Sequence, residues 1–418
     1  MAHSLIELIE AQRPALVDDL QALLRFDTSL PPGHGYPEIT AWLAEQVAGL
    51  GFSAERVTVP EALWHQPALG FDGPRVNLVA RRRAGRPPLS IYAHTDVVPA
   101  GPGWSLPPFQ GVVKDGRIYG RGAGDMKGTI ASLLAALRAL EAAGWPLAFD
   151  PILLFCTDEE GGTYPGIRYL AEQGFVEGHL LCMDGQAAPR RWAGCCGMVD
   201  YRITVQGRGG HSGGSGETVN AIESAVPVLQ SLLELKSRVE SRASDMPAAP
   251  HERTSHVHAR LNVTVFHGGT KPNVIPAECE LWVNRRYLPE ESLEAVLAEL
   301  EAAARVEGVA VGLDGPAAHL PPVLDPLGPH WPRWEAALAQ GFGFRPSDFV
   351  RYGASSSSDM GWVQTAGLQE ILLGGVSRPD GNVHGPDEWV AIDDLLGLAR
   401  ALAIYLSDQT ASSTQSEV

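Results

Sequence analysis

The chain has 418 residues, 44% of them apolar and 19% charged, and 32 basic against 49 acidic side chains leave a formal net charge of −17. That length exceeds one ordinary core, so two domains are expected. The acidic balance argues against nucleic acid or an anionic membrane as partner, since both need a basic footprint. No run of 18 apolar residues occurs, so no membrane span is expected. The opening MAHSLIELIEAQRPALVDDLQALL is amphipathic and acidic; it lacks a basic stretch followed by an uncharged apolar one, so no signal peptide is expected. None of the five cysteines belongs to a C-x-x-C pair. They are expected to be reduced and buried, in a cytoplasmic protein.

In chain order, residues 4–25 and about 37–51 read as helices separated by the turn-rich Pro31-Pro32-Gly33-His34-Gly35. Val76–Arg82 reads as a strand. The next, 89–95, is an apolar run that ends in His94-Thr95-Asp96, so a histidine and a carboxylate stand at the end of a buried strand. The Pro- and Gly-rich loop 101–109 follows, then the glycine-dense GRGAGDMKG (120–128). A leucine-rich helix comes next and closes at Gly144. Asp125 thus stands just before a helix N-terminus, where taken alone it reads as a cap or dipole partner. The strand Pro151–Thr157 ends in Asp158-Glu159-Glu160, three acids that are costly together unless positive charge sits among them. After a helix at about 165–174, the strand His179–Met183 ends in Asp184. Apolar strands ending in His, Asp or Glu with helices between them predict a doubly wound, mostly parallel α/β sheet. Its ligand site is expected at the carboxyl ends of the strands.

From Gly197 the apolar pattern alternates, as in half-exposed antiparallel strands. The glycine loop 207–214 holds His211. The strands 262–269 and 278–287 flank Asn273 and carry Arg286, and a β–α–β–β–α–β set is complete by Leu313. Residues 197–314 are therefore expected to be an inserted α+β, ferredoxin-like domain, with 1–196 and 315–418 forming the other. Residues 244–258, with three histidines, read as an irregular surface insertion. The last part holds the serine run 355–358, a strand at 368–373, a loop with His384, and a helix at 392–406. The tail 408–418 has the composition of a disordered segment.

The candidate metal ligands are His94, Asp125, Glu160, Asp184 and His384. Two imidazoles and three carboxylates suit zinc, cobalt or manganese. With one bridging carboxylate they suffice for two ions roughly 3.5–4 Å apart, an arrangement that acidifies a bound water and polarises a carbonyl. Hydrolysis also needs a carboxylate to take the water's proton, and Glu159 is placed for that. There is no G-x-S-x-G, no cysteine in a protease-like context and no phosphate-loop spacing, so covalent acyl transfer and nucleotide binding are disfavoured.

HTDVVPAG (94–101), W-x3-PF (104–109), GRGAGDMKG (120–128), DEEGG (158–162) and HGPDE (384–388) together resemble the co-catalytic zinc amidohydrolases. That family includes acetylornithine deacetylase, succinyl-diaminopimelate desuccinylase, aminoacylase and the carboxypeptidase-G enzymes, and the likeness spans about residues 20–405. The resemblance implies that Asp125 bridges two zinc ions, with His94 and Asp184 on one and Glu160 and His384 on the other. It implies Asp96 behind the ligands, Glu159 as general base, and 197–314 as a lid and dimerisation domain. His211 would act as an oxyanion stabiliser in the partner subunit's site of a homodimer, and Asn273 and Arg286 would bind the substrate carboxylate. The implied reaction is cleavage of a linear amide in a small N-acylated amino acid or related compound. Dipeptidase or carboxypeptidase action, or hydrolytic removal of an amine, are the alternatives on the same site. The chain departs from the family pattern at Ser215 and Thr218, and at Asn284, where the family's second lid strand has the acid of a D-x-R triplet.

Overall fold

The computed structural model describes residues 5–214 and 216–408; Ser215 and the tail from 409 lie outside the described residues. The chain divides into two compact units. The first comprises the residues up to Trp192, Pro326–Val350 and those from Trp362 on; the second comprises Ala193–Asp325 and Arg351–Gly361.

The first unit is built on a six-stranded sheet. Its order is Ser53–Thr58, Val76–Arg81, Asp150–Cys156, Pro88–His94, His179–Gln186 and Ile371–Ser377. The last four are parallel to their neighbours and the first two join antiparallel at one edge. Every residue of Asp150–Cys156 is buried, as expected of a strand covered on both faces. The helices Gly128–Ala143 and Ile392–Leu406 supply long buried faces to this core. The strand order reverses at Pro88–His94: the next parallel strand in the chain lies on one side of it and the one after on the other. An open α/β sheet forms its ligand crevice at such a switch point.

The second unit has a four-stranded antiparallel sheet in the order Arg260–Gly268, Glu278–Tyr287, Gly197–Gln206, Ala310–Leu320. Its own core includes the buried faces of the helices Ala221–Glu240 and Leu293–Ala304. The chain order β–α–β–β–α–β follows the sequence reading.

Three local features differ from expectation. The first helix is two, Leu5–Ala11 and Arg13–Arg25, because Pro14 lacks an amide hydrogen and fits a helix only in its first turn. Residues 244–258 are not wholly irregular: Ala243–Pro247 pairs antiparallel with His256–His258, turning Met246 and Val257 into the second core. The expected boundary at 314/315 falls inside the strand Ala310–Leu320, whose Pro316–Leu320 half still pairs with Met198–Tyr201.

Candidate functional site

Four neighbouring parallel strands deliver the candidate residues to one end of the first sheet. His94 is the last residue of its strand and fully buried. Asp125 lies in the turn before the helix Gly128–Ala143, in extended backbone conformation (φ −133°, ψ 96°). Glu159 and Glu160 follow the strand Asp150–Cys156, and Asp184 lies in the strand His179–Gln186. His384, at φ 64°, is in the loop after Ile371–Ser377. All belong to the first unit.

Asp125 stands between the two imidazoles. Its Oδ1 is 3.1 Å from His94 Nε2 and its Oδ2 is 3.4 Å from His384 Nε2. His384 Nε2 is also 3.0 Å from Glu160. Ligand-type atoms of His94, Asp125 and Glu160 lie within 4.8 Å of one another, and so do those of His94, Glu159 and Asp184. His94 Nδ1 is 3.0 Å from the main-chain oxygen of Asp96 and 3.7 Å from its carboxylate. A proton on Nδ1 donated to that main-chain oxygen leaves Nε2 as the lone-pair donor facing Asp125. The Asp96 carboxylate instead accepts the amide of Glu160 at 2.8 Å, so it orients the Glu159–Glu160 turn.

The electrostatics show what this cluster needs. Burial disfavours a charged His94, yet the hydrogen bond to Asp125 and the charges of Asp96, Asp125 and Glu159 outweigh it and hold its pKa well above the ordinary value. Hydrogen bonds to Asp125 and Glu160 raise His384 to about 10. Burial pushes Glu160 up. Asp125 is held far down despite its burial, by its hydrogen bonds to His384 and His94. The acids thus draw positive charge onto both rings. A divalent cation would supply that charge through the same lone pairs, and imidazole nitrogens mixed with carboxylate oxygens are the donor set that zinc, cobalt and manganese take.

The remaining predicted residues belong to the second unit. His211 lies in a two-residue strand paired with Val274–Ile275. It is exposed, and its Nδ1 accepts the amide of Gly213 at 3.1 Å. That pairing brings Asn273 alongside, with its carbonyl accepting the amide of Ser212 at 3.1 Å. Arg286 is on the strand Glu278–Tyr287, apart from this hairpin in sequence. It donates from Nε to Asn284 Oδ1 at 3.2 Å and from Nη1 to Ser357 Oγ.

Two supporting pairs escaped the sequence reading. Arg121 and Glu388 form an ion pair behind Asp125, and Arg75 pairs with Asp158 beside Glu159. Arg121, Asp158 and Glu388 had a signal, since each lies inside a quoted motif. Arg75, in a plain turn before a strand, had none.

Comparisons with known proteins place the chain in a family and a fold. The model of Peptidase family M20/M25/M40 matches residues 90–408. A succinyl-diaminopimelate desuccinylase of Alkalilimnicola ehrlichii is 30% identical over 368 residues, covering 86% of this chain and 90% of that protein. The solved di-peptidase Dug1p of Saccharomyces cerevisiae superposes with a TM-score of 0.74 at 19% identity, over 97% of this chain and 98% of its own. A dinuclear metal binding peptidase of the M20 family from Bacillus subtilis does so with a TM-score of 0.62 at 16% identity, over 95% and 98%. No helix among the described residues is long and apolar enough to cross a membrane. With a family match over most of its length, the chain belongs to peptidase family M20/M25/M40 and is a metal-dependent hydrolase.

Proposed function

We propose that this protein is a deacylase that cleaves the linear amide of a small N-acylated amino acid or related acid, using two zinc ions, with cobalt or manganese able to replace them. The observation that carries the reading is the convergence of His94, His384 and Glu160 around Asp125, with Asp184 and Glu159 grouped beside the same His94. In this reading Asp125 would be shared by both ions, with His94 and Asp184 as the residues that would hold one and Glu160 and His384 the other. Ions held there would supply Lewis acidity toward the acyl carbonyl and a more acidic attacking water. The Glu159 carboxylate takes that water's proton and returns it to the leaving nitrogen. Asp96 orients the Glu159–Glu160 turn through the Glu160 amide.

The second unit supplies His211 as a donor to the oxygen where negative charge develops, from the other subunit of a two-fold homodimer. Asn273 and Arg286 hold the substrate's carboxylate. Arg286 suits that role because a guanidinium binds a carboxylate bidentately, and its strand neighbour Asn284, which accepts from its Nε, is neutral. The desuccinylase relative favours an acyl amino acid as substrate. The likeness to a di-peptidase keeps peptide cleavage on the same site as the second reading. Reduced, buried cysteines favour a cytoplasmic location.

The test is a hydrolysis screen of N-succinyl, N-acetyl, N-formyl and N-carbamoyl amino acids and of dipeptides, with zinc- and cobalt-loaded protein. Turnover of an acyl amino acid, abolished by chelation and restored by either ion, supports the deacylase reading. Turnover of dipeptides alone moves the assignment to the peptidase reading. Activity that survives complete removal of metal sinks both.

A further inference from the structure

Asp125 and His384 come from loops about 260 residues apart, yet an ion between them requires their separation to be held within a fraction of an ångström. A single side chain behind them reaches both loops. Glu388 is fully buried. Its Oε2 accepts Arg121 Nη1 at 2.5 Å and the amide of Gly122 at 3.1 Å. Its Oε1 accepts the amides of Gly124 at 2.9 Å and of Asp125 itself at 3.2 Å. Its main-chain oxygen accepts the amide of Gly120 at 2.9 Å. The glycine loop is thus wrapped around one carboxylate. It can do so because Gly122 adopts φ +88°, and a Cβ there would lie 2.6 Å from Val97 Cγ1.

The tie runs in the other direction as well. Arg121, 1% exposed, crosses back from the glycine loop and donates Nη2 to the carbonyl of Gly385 at 3.1 Å, next to His384. The loop 384–388 holds a third segment through Asp387, whose carboxylate accepts the amide of Ser105 at 2.8 Å and its hydroxyl at 2.7 Å.

We propose that Glu388 is a positioning residue of the metal site: with Arg121 it sets the distance between Asp125 and His384, and so the affinity of the ion those two share. This rests on the ligand assignment above. The carboxylate acts by where it puts Asp125, not by touching substrate. Four hydrogen bonds fix the loop from behind, and the Arg121 arm fixes the histidine loop to the same point. Partners of this kind behind metal ligands typically change metal affinity or activity by 10–100-fold.

The experiment is calorimetric titration of metal-free protein with zinc, together with the visible spectrum of the cobalt-substituted protein and thermal unfolding without metal. Glu388→Gln keeps the shape but replaces one acceptor oxygen with a donor that faces either Arg121 or the loop amides. It should bind one of the two equivalents about 10–100-fold more weakly and show a changed cobalt spectrum. Its kcat should fall while KM changes by less than about threefold, because substrate binding is not what it alters. Arg121→Lys, which keeps the charge but loses the fork to Gly385, should show the same loss in weaker form. A folded Glu388→Gln protein with two wild-type affinities and an unchanged spectrum overturns the proposal. If that variant does not fold, Arg121→Lys decides in the same way. His384→Ala is the control on the ligand assignment. If it too keeps both equivalents at wild-type affinity, the ligand assignment falls and the proposal with it. If it loses one while Glu388→Gln does not, the positioning role alone falls.

Discussion

Arg75 and Asp158 form an ion pair that water does not reach: their side chains are 0% and 1% exposed and Arg75 Nε lies 2.8 Å from Asp158 Oδ2. Tyr36 donates its hydroxyl to the same carboxylate at 3.0 Å, and the guanidinium lies 4.1 Å from the centre of the Trp64 ring. Asp158 is at φ 60°, a left-handed conformation that Asp tolerates better than most residues, and the next residue is Glu159. The pair therefore holds the start of the turn that presents the proposed base.

Removing one partner of a buried pair strands the other charge. Arg75→Met should lower unfolding stability by about 3–5 kcal/mol, measured by denaturant titration. A loss below about 1 kcal/mol would show that Asp158 finds water or another donor, and that the pair does not hold the turn.

Glu159→Gln separates proton transfer from metal binding. With fold and metal content retained, kcat should fall about 10²–10⁴-fold. A variant that loses an equivalent of metal along with its activity would place Glu159 among the ligands, beside His94 and Asp184, instead of at the proton.

Acid stability should be governed partly by a cluster away from the site. His179 is 4% exposed, stacks on His330 with ring centres 3.7 Å apart, and meets the Tyr405 hydroxyl at 2.5 Å. Burial, with the electrostatic influence of the neighbouring His330 and Arg333, pushes its pKa down to about 3. The unfolded chain takes up this proton near the ordinary histidine value of about 6.5, whereas the folded chain does not. The stability tied to the neutral ring is therefore complete above about pH 6.5 and is lost progressively as pH falls toward about 3. Unfolding free energy measured across this window should drop more steeply for the wild type than for His179→Gln. Parallel curves would mean that His179 titrates alike in both states.

The proposed role of His211 in the partner subunit's site makes a quantitative demand. Mixing inactive His211→Ala with inactive Glu159→Gln subunits and allowing exchange gives heterodimers with one doubly altered site and one intact site. With random exchange about half the dimers are mixed, so about a quarter of wild-type activity should return. Demonstrated exchange without recovery would confine His211 to its own chain or remove it from the reaction.

Much of this was decided by local sequence. The apolar runs 89–93, 151–156 and 179–183 read as buried strands because they are short, continuous and bounded by turn-forming residues, as strands covered on both faces are. The residues that end them, His94, Glu159, Glu160 and Asp184, could be read as converging because parallel strands expose their carboxyl ends together. Alternation after Gly197 likewise marks half-exposed strands without reference to the rest of the chain. The tertiary structure decided partnerships. No pattern ties Arg75 to Asp158 across 83 positions or Arg121 to Glu388 across 267. It also decided that the Asp96 carboxylate accepts the Glu160 amide as well as lying near the His94 ring, and that the strand beginning at Ala310 runs on to Leu320 against Gly197–Gln206. Periodicity reports which face of an element is buried, because burial acts residue by residue along the chain. Which charge meets which is fixed only when the closed fold leaves a buried carboxylate one donor within reach.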